Sequence, residues 1–337
     1  MTRIMTVFLT AAALVLAAGF GAAAKAETVL TYSNFFPPTH IQSKLAEEWC
    51  AEVEKRTGGE VKVQYYPGGT LSSAKDCYGG VVDGISDVGL SVLAYSRGRF
   101  PVMAAVDLPL GYKSGVAATK VANAVYEKFD PKEFNDTEVM YFHAHGPGLP
   151  HTKGEPIKKM EDMKGLKLRA TGNSAKVVKA LGGTPVAGSM PEAYQSIQKG
   201  VVDGGMYPLE TNKGWKMAEV VDYCTEAYSV AYTTTFFVVM NKDKWASLSD
   251  EAQKAISEIN EEWSARHGRA WDESDKEGRE YFLQQDGEFI EVSDEEAARW
   301  KSAVEPILEE YATEAEGKGL PGKQIVDFTS ETLNSVQ

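Results

Sequence analysis

Beyond its N-terminus the chain has no run of eighteen apolar residues, which leaves no later segment long enough for a membrane-spanning helix. Basic residues are in deficit, with 35 Lys and Arg against 48 Asp and Glu, a formal charge of −13. That balance argues against nucleic acid or an anionic lipid surface as a partner. Signatures of common chemistry are missing as well. There is no G-x-S-x-G elbow, H-E-x-x-H helix, Walker loop or G-x-G-x-x-G turn, so no cofactor is expected. Cysteine is scarce: Cys50, Cys77 and Cys224 include no C-x-x-C pair that would point to zinc.

What is present begins with an address. Arg3 precedes an uncharged run from Ile4 to Ala24, and Ala24-Lys25-Ala26 offers a small-x-small cleavage site. The chain then turns polar at once, as after a cleaved secretory signal over residues 1–26. Cleavage would remove Arg3 and Lys25 and make the chain still more acidic, so an anionic ligand must be drawn in by local positive charge. In an oxidising compartment a disulfide is expected between Cys50 and Cys77, both on helices flanking the first strand-turn unit, contributing roughly 3–4 kcal/mol. Cys224, in the strand-like run VVDYCTEAY, reads as a buried free thiol.

The first part alternates strand and helix. Thr28 to Tyr32 reads as a strand, and Thr39-His40-Ile41-Gln42 as a capping box. Ile41, Leu45, Trp49 and Val53 then form a helical stripe that stops at Gly58-Gly59. A strand at Val61–Tyr65, a helix from about Ser72 to Val82 and a strand at Ile85–Val92 complete a β-α-β-α-β order, which implies a parallel sheet flanked by helices. A helix, a Val-Val-Asp-Gly exit and a strand occur near Val81 and again near Val201, suggesting two similarly built lobes with a cleft between them. Strands at Glu138–His145 and Thr234–Asn241 would cross between lobes as a hinge. Ser249 caps a long amphipathic helix to about Gln285, and Ser293-x-x-Glu296 opens another through Trp300, Val304 and Leu308.

The densest signal lies between Asp162 and Pro208, where strands LKLRA, TPVAG and DGGMYP alternate with two helical stretches. In such sheets ligands collect beyond the carboxyl ends of the strands, which delivers Arg169 and Tyr207 to a ligand position. This stretch resembles the second domain of the TRAP-type solute-binding proteins, periplasmic receptors for small organic anions. Gly69-Thr70-Leu71, Leu108-Pro109, Gly165-Leu166-Lys167-Leu168-Arg169, Leu181-Gly182-Gly183 and Asn241-Lys242 extend the resemblance over the whole chain after residue 26, in order and spacing.

The resemblance implies an α/β periplasmic binding protein fold. Lobe I would occupy 27–145 and lobe II 146–235. Residues 236–280 would return to lobe I and form a long helix bracing both lobes, and 281–337 would be a helical end. It implies a monomeric periplasmic receptor that performs no chemistry and delivers one small organic anion to the integral-membrane subunits of an ion-gradient-driven TRAP permease. Arg169 would clamp the anion, because a guanidinium forks onto two oxygens and stays charged when desolvated. A solvated surface arginine in the Lys-Leu-Arg alternation is the competing reading.

Departures from the family pattern are informative. Where many members carry Gln-Glu-Asn-Pro, this chain has Gly205-Met206-Tyr207-Pro208, so a phenol replaces a short amide. Receptors for acidic sugars add a second arginine near the position of Gly148. The ligand should therefore carry one principal anionic group beside aromatic walls, for which Phe36, Tyr95 and Trp215 are candidates, although single aromatics more often belong to core or rim. Two other functions are compatible with parts of the chain. An ABC-type receptor for a polar or quaternary-amine ligand would use the same rings as a cage. A metal-dependent hydrolase would use His143 and His145, which alternate on one strand face with His151 nearby; histidines of a hinge strand that hydrogen-bond locally are the favoured reading of the same residues.

Overall fold

The computed structural model describes residues 27–337; the expected signal segment, 1–26, lies outside the described residues. The first part of the chain runs β1 (Thr28–Asn34), α1 (Ile41–Arg56), β2 (Val61–Tyr66), α2 (Cys77–Val82), β3 (Val88–Val92), α3 (Gly115–Phe129) and β4 (Thr137–Ala144). The second runs β5 (Leu149–Thr152), β6 (Lys167–Ala170), α4 (Gly172–Ala180), β7 (Thr184–Ala187), α5 (Met190–Gln198), β8 (Gly204–Tyr207), α6 (Thr211–Gly214) and β9 (Tyr223–Thr225). The return comprises β10 (Thr235–Asn241), α7 (Lys242–Ser247), α8 (Asp250–Gln284), β11 (Glu288–Ile290), α9 (Asp294–Val304), α10 (Pro306–Glu316) and α11 (Gly322–Val336).

Two mixed sheets result, ordered β2-β1-β3-β10-β4 and β11-β9-β5-β8-β6-β7. In the first, β1 pairs parallel with β2 and β3, as the alternating order requires, and β10 enters antiparallel between β3 and β4. In the second, β6 lies parallel between β7 and β8. The crossing from β4 to β5 meets the crossing from β9 to β10 where the Gly148 amide donates to the Tyr232 carbonyl at 2.8 Å.

Period-two alternation divides the first lobe into two apolar layers. Leu30, Tyr32, Val88, Leu90, Phe236 and Val238 pack under α1 and α8, while Phe237 and Val239 pack with α2 and α3. That division corrects the expected disulfide. Cys50 on α1 sits in one layer and donates to the Ala46 carbonyl at 3.1 Å; Cys77 opens α2 in the other. The sheet stands between them, and a disulfide needs β-carbons about 4 Å apart. All three cysteines are free and buried.

Helix ends follow local chemistry with one change. His40, not a Thr39 capping box, caps α1: its Nδ1 accepts the Gln42 amide at 3.2 Å. Ser249 caps α8 as expected, and the helix expected through Leu308 breaks between α9 and α10 at Pro306. Helix α8 braces both lobes. Ile256, Ile259 and Trp263 bury against the first sheet, and a β-carbon on Gly278 would lie 2.1 Å from the carbonyl oxygen of Leu209, just after β8 in the second lobe. Only glycine lets the helix backbone approach so closely.

Candidate functional site

Arg169, Tyr207, Phe36, Tyr95 and Trp215 all line one narrow cavity of about 40 Å³ between the lobes. Strand pairing positions the first two: Arg169 sits opposite Val186 on β7 and Gly205 on β8, two residues before Tyr207. β8 can lie this close to β5 because a β-carbon on Gly204 would fall 2.0 Å from the His151 carbonyl oxygen.

Arg169 is only 6% exposed. Its Nε donates to the Gly188 carbonyl at 2.8 Å, while Nη1 and Nη2 make longer contacts of 3.3 Å to the Met206 carbonyl and the Tyr95 hydroxyl. None of these partners is a carboxylate, and among the described residues Arg169 makes no ion pair, so its terminal nitrogens retain donor capacity. Among the described residues the Tyr207 hydroxyl is buried without a hydrogen-bond partner, and its ring stacks on His151 at 4.3 Å. Burial pushes its phenol well above the usual range, so it presents a neutral O–H.

The walls are aromatic. Phe35 and Phe36 stack at 4.4 Å, and Trp215 closes on them at 6.1 and 5.7 Å. Tyr95 crosses the cleft: its hydroxyl accepts the Met190 amide at 2.8 Å. Phe236, Trp271, Tyr232 and Glu210 also line it and were not singled out from the sequence, while His145, read there as a possible metal ligand, lines it as well. Phe236 had a usable signal, since alternate residues of a strand returning from the hinge face the cleft. Glu210 had none. A wider groove of about 770 Å³ adjoins the cavity through Tyr95 and Thr171, and Arg97, Lys179 and Lys318 on its walls supply local positive charge.

The histidines are engaged locally. His143 Nδ1 accepts from the Trp271 indole at 3.0 Å, between the rings of Phe236 and His267. His145 Nδ1 donates to the Gly146 carbonyl at 2.6 Å, and burial pushes its pKa down to about 4. Among the described residues no three His, Cys, Asp or Glu side chains group as metal ligands. At Gly148 a β-carbon would meet the Tyr232 ring at 2.2 Å, which leaves no room for a second arginine there.

The DctP family model, bacterial extracellular solute-binding protein family 7, matches residues 32–314. A TRAP periplasmic solute-binding protein from Desulfovibrio salexigens is 34% identical, with a TM-score of 0.81 over 93% of this chain and 97% of that one. A TRAP solute-binding protein from a marine metagenome, specific for aromatic acid ligands and solved with metahydroxyphenylacetate, is 29% identical, with a TM-score of 0.88 over 92% of this chain and 100% of that one. The C4-dicarboxylate-binding periplasmic protein of Rhodobacter capsulatus is 27% identical over 92% of this chain and 94% of its own length. The match spans both sheets, the crossings between them and the cavity they enclose, and the chain belongs to family 7 of the bacterial extracellular solute-binding proteins.

Proposed function

We propose that this chain is a periplasmic receptor that closes around one small carboxylate with a planar apolar body and hands it to the membrane subunits of a TRAP permease. The observation that carries this reading is the buried Arg169 guanidinium, without an ion pair among the described residues, inside an aromatic cavity. A carboxylate would take the two terminal nitrogens, with the unpartnered Tyr207 hydroxyl as a third donor. Each charge-assisted hydrogen bond contributes roughly 1.5–3 kcal/mol, so two govern affinity by about a hundredfold or more. The likeness to a receptor specific for aromatic acids supports the planar body. A quaternary amine fits poorly, because the same guanidinium would repel it.

Calorimetric titration with benzoate tests the proposal. Wild type is expected to bind, Arg169→Gln to lose at least a hundredfold, and Arg169→Lys to recover only part, because an ammonium cannot fork. A folded Arg169→Gln with wild-type affinity would overturn the reading.

A further inference from the structure

Glu210 is a second charged side chain on the cavity wall, 3% exposed, and an acid is unexpected where an anion binds. Its Oε2 accepts from His40 Nε2 at 2.9 Å. His40 Nδ1 is already the acceptor for the Gln42 amide at the head of α1, so Nε2 carries the ring hydrogen and the imidazole is neutral. Glu210 therefore has a neutral donor and no cation. Among the described residues it makes no ion pair with Arg169, and the cavity holds one positive and one negative group that do not cancel each other.

The surroundings favour this placement. Asp275 accepts the Glu210 amide at 2.8 Å and fixes the backbone. Burial first, and then the neighbouring Glu210 carboxylate, push Asp275 well above the carboxylate range, so it offers no compensating charge. A β-carbon on Gly214 would lie 2.6 Å from Glu210 Oε2 and 2.7 Å from His40 Nε2, so α6 leaves the space that the pair occupies. The rings of Phe36, Trp215 and Trp271 surround His40 at 4.5, 5.7 and 6.2 Å. A carboxylate buried in such a setting with one neutral donor still gains from a further one.

We infer that Glu210 is a specificity anchor that accepts a hydrogen bond from a hydroxyl or ammonium group of the ligand whose carboxylate Arg169 holds. The inference rests on the proposed receptor function and adds a second polar group to the ligand. A hydrogen bond to a charged acceptor corresponds to about tenfold to a hundredfold in affinity. The competing role for Glu210 is a latch: His40 belongs to the first lobe and Glu210 to the second, and their bond would then hold any ligand equally.

Titration of wild type and Glu210→Gln with benzoate, its 3- and 4-hydroxy derivatives and its 3- and 4-aminomethyl derivatives separates the two. Wild type is expected to bind a donor-bearing acid at least tenfold more tightly than benzoate. Glu210→Gln should lose that preference while holding benzoate as well or better, since a like charge has gone. Preference for hydroxyl over ammonium, or the reverse, identifies the donor, and either supports the anchor. Equal weakening for every acid would establish the latch and overturn the anchor, as would no change for any. The wild-type comparison stands even where a variant does not fold: equal affinity for benzoate and all four derivatives overturns the anchor. If no acid binds wild type, the aromatic-carboxylate ligand proposed above fails and takes the inference with it.

Discussion

Tyr95 of the first lobe meets the Arg169 guanidinium of the second at 3.3 Å, and its hydroxyl also accepts the Met190 amide at 2.8 Å. One phenol thus joins both sides of the cleft at the residue expected to hold the ligand. Tyr95→Phe removes both bonds and leaves the Met190 amide without its partner. Loss of about 1–1.5 kcal/mol is expected, so a bound carboxylate should dissociate roughly five- to tenfold faster. Stopped-flow release measures this directly, and an unchanged rate would mean that closure does not depend on Tyr95.

Gly148 and Tyr232 make a steric prediction at the crossing. With only 2.2 Å between the position a β-carbon would take and the ring, Gly148→Ala must displace Tyr232, at a cost of roughly 1–3 kcal/mol. Urea denaturation should show a lower midpoint, and the same glycine substitution should cost much less when introduced into a Tyr232→Ala background, whose own loss of a buried ring is measured separately. Wild-type stability in the single variant would show that the ring moves freely.

Asp107 supplies a pH signature. It is buried, and both the amide and hydroxyl of Thr235 donate to its Oδ1, at 2.9 and 2.8 Å; burial still pushes its pKa up to about 7. The folded state therefore holds a proton that the unfolded chain releases near pH 4. The stability linked to that proton is full below about pH 4 and is lost as pH rises to about 7, by at most about 1.4 kcal/mol per pH unit. Asp107→Asn keeps the acceptor and cannot titrate. Relative to wild type it should gain stability between pH 5 and pH 8 in urea titrations, and a constant difference across that range would contradict the assignment.

Thiol chemistry offers a further check. Burial pushes Cys77 up to about 12 and raises Cys50 and Cys224 further above the normal thiol range. Thiolates are the reactive form, so all three should resist alkylation in the native protein and react only after denaturation. Mass spectrometry of protein exported to an oxidising compartment should count three free thiols. A Cys50–Cys77 bridge would require the first sheet to be arranged differently.

The sequence carried the frame where signals were local. Strands β6, β7 and β8 with α4 and α5 lie where the stretch from Asp162 to Pro208 placed them, because apolar runs and glycine exits mark each boundary. Helix α8 announced itself through its apolar spacing and Ser249. Boundaries failed where turns compete with helix or strand. Gly68 and Gly69 at φ +70°, followed by the Ser73–Asp76 turn, delay α2 to Cys77, and Ile85 lies exposed before β3. Part of the cavity was invisible for a different reason. Glu210 meets His40 across 170 positions, a contact made only once the two lobes come together. No window of neighbouring residues contains such contacts.

Helix α8 also limits how the two halves can move. At 35 residues it is about 50 Å long, anchored near Trp263 to one half and at Gly278 to the other. The halves cannot drift apart as beads on a flexible tether would. Each excursion must either bend this rod or slide one end along it, so the molecule has few ways to open and returns along the same track. The segment gripping Gly278 is Leu209–Glu210, which places one end of the rod directly behind the cavity wall.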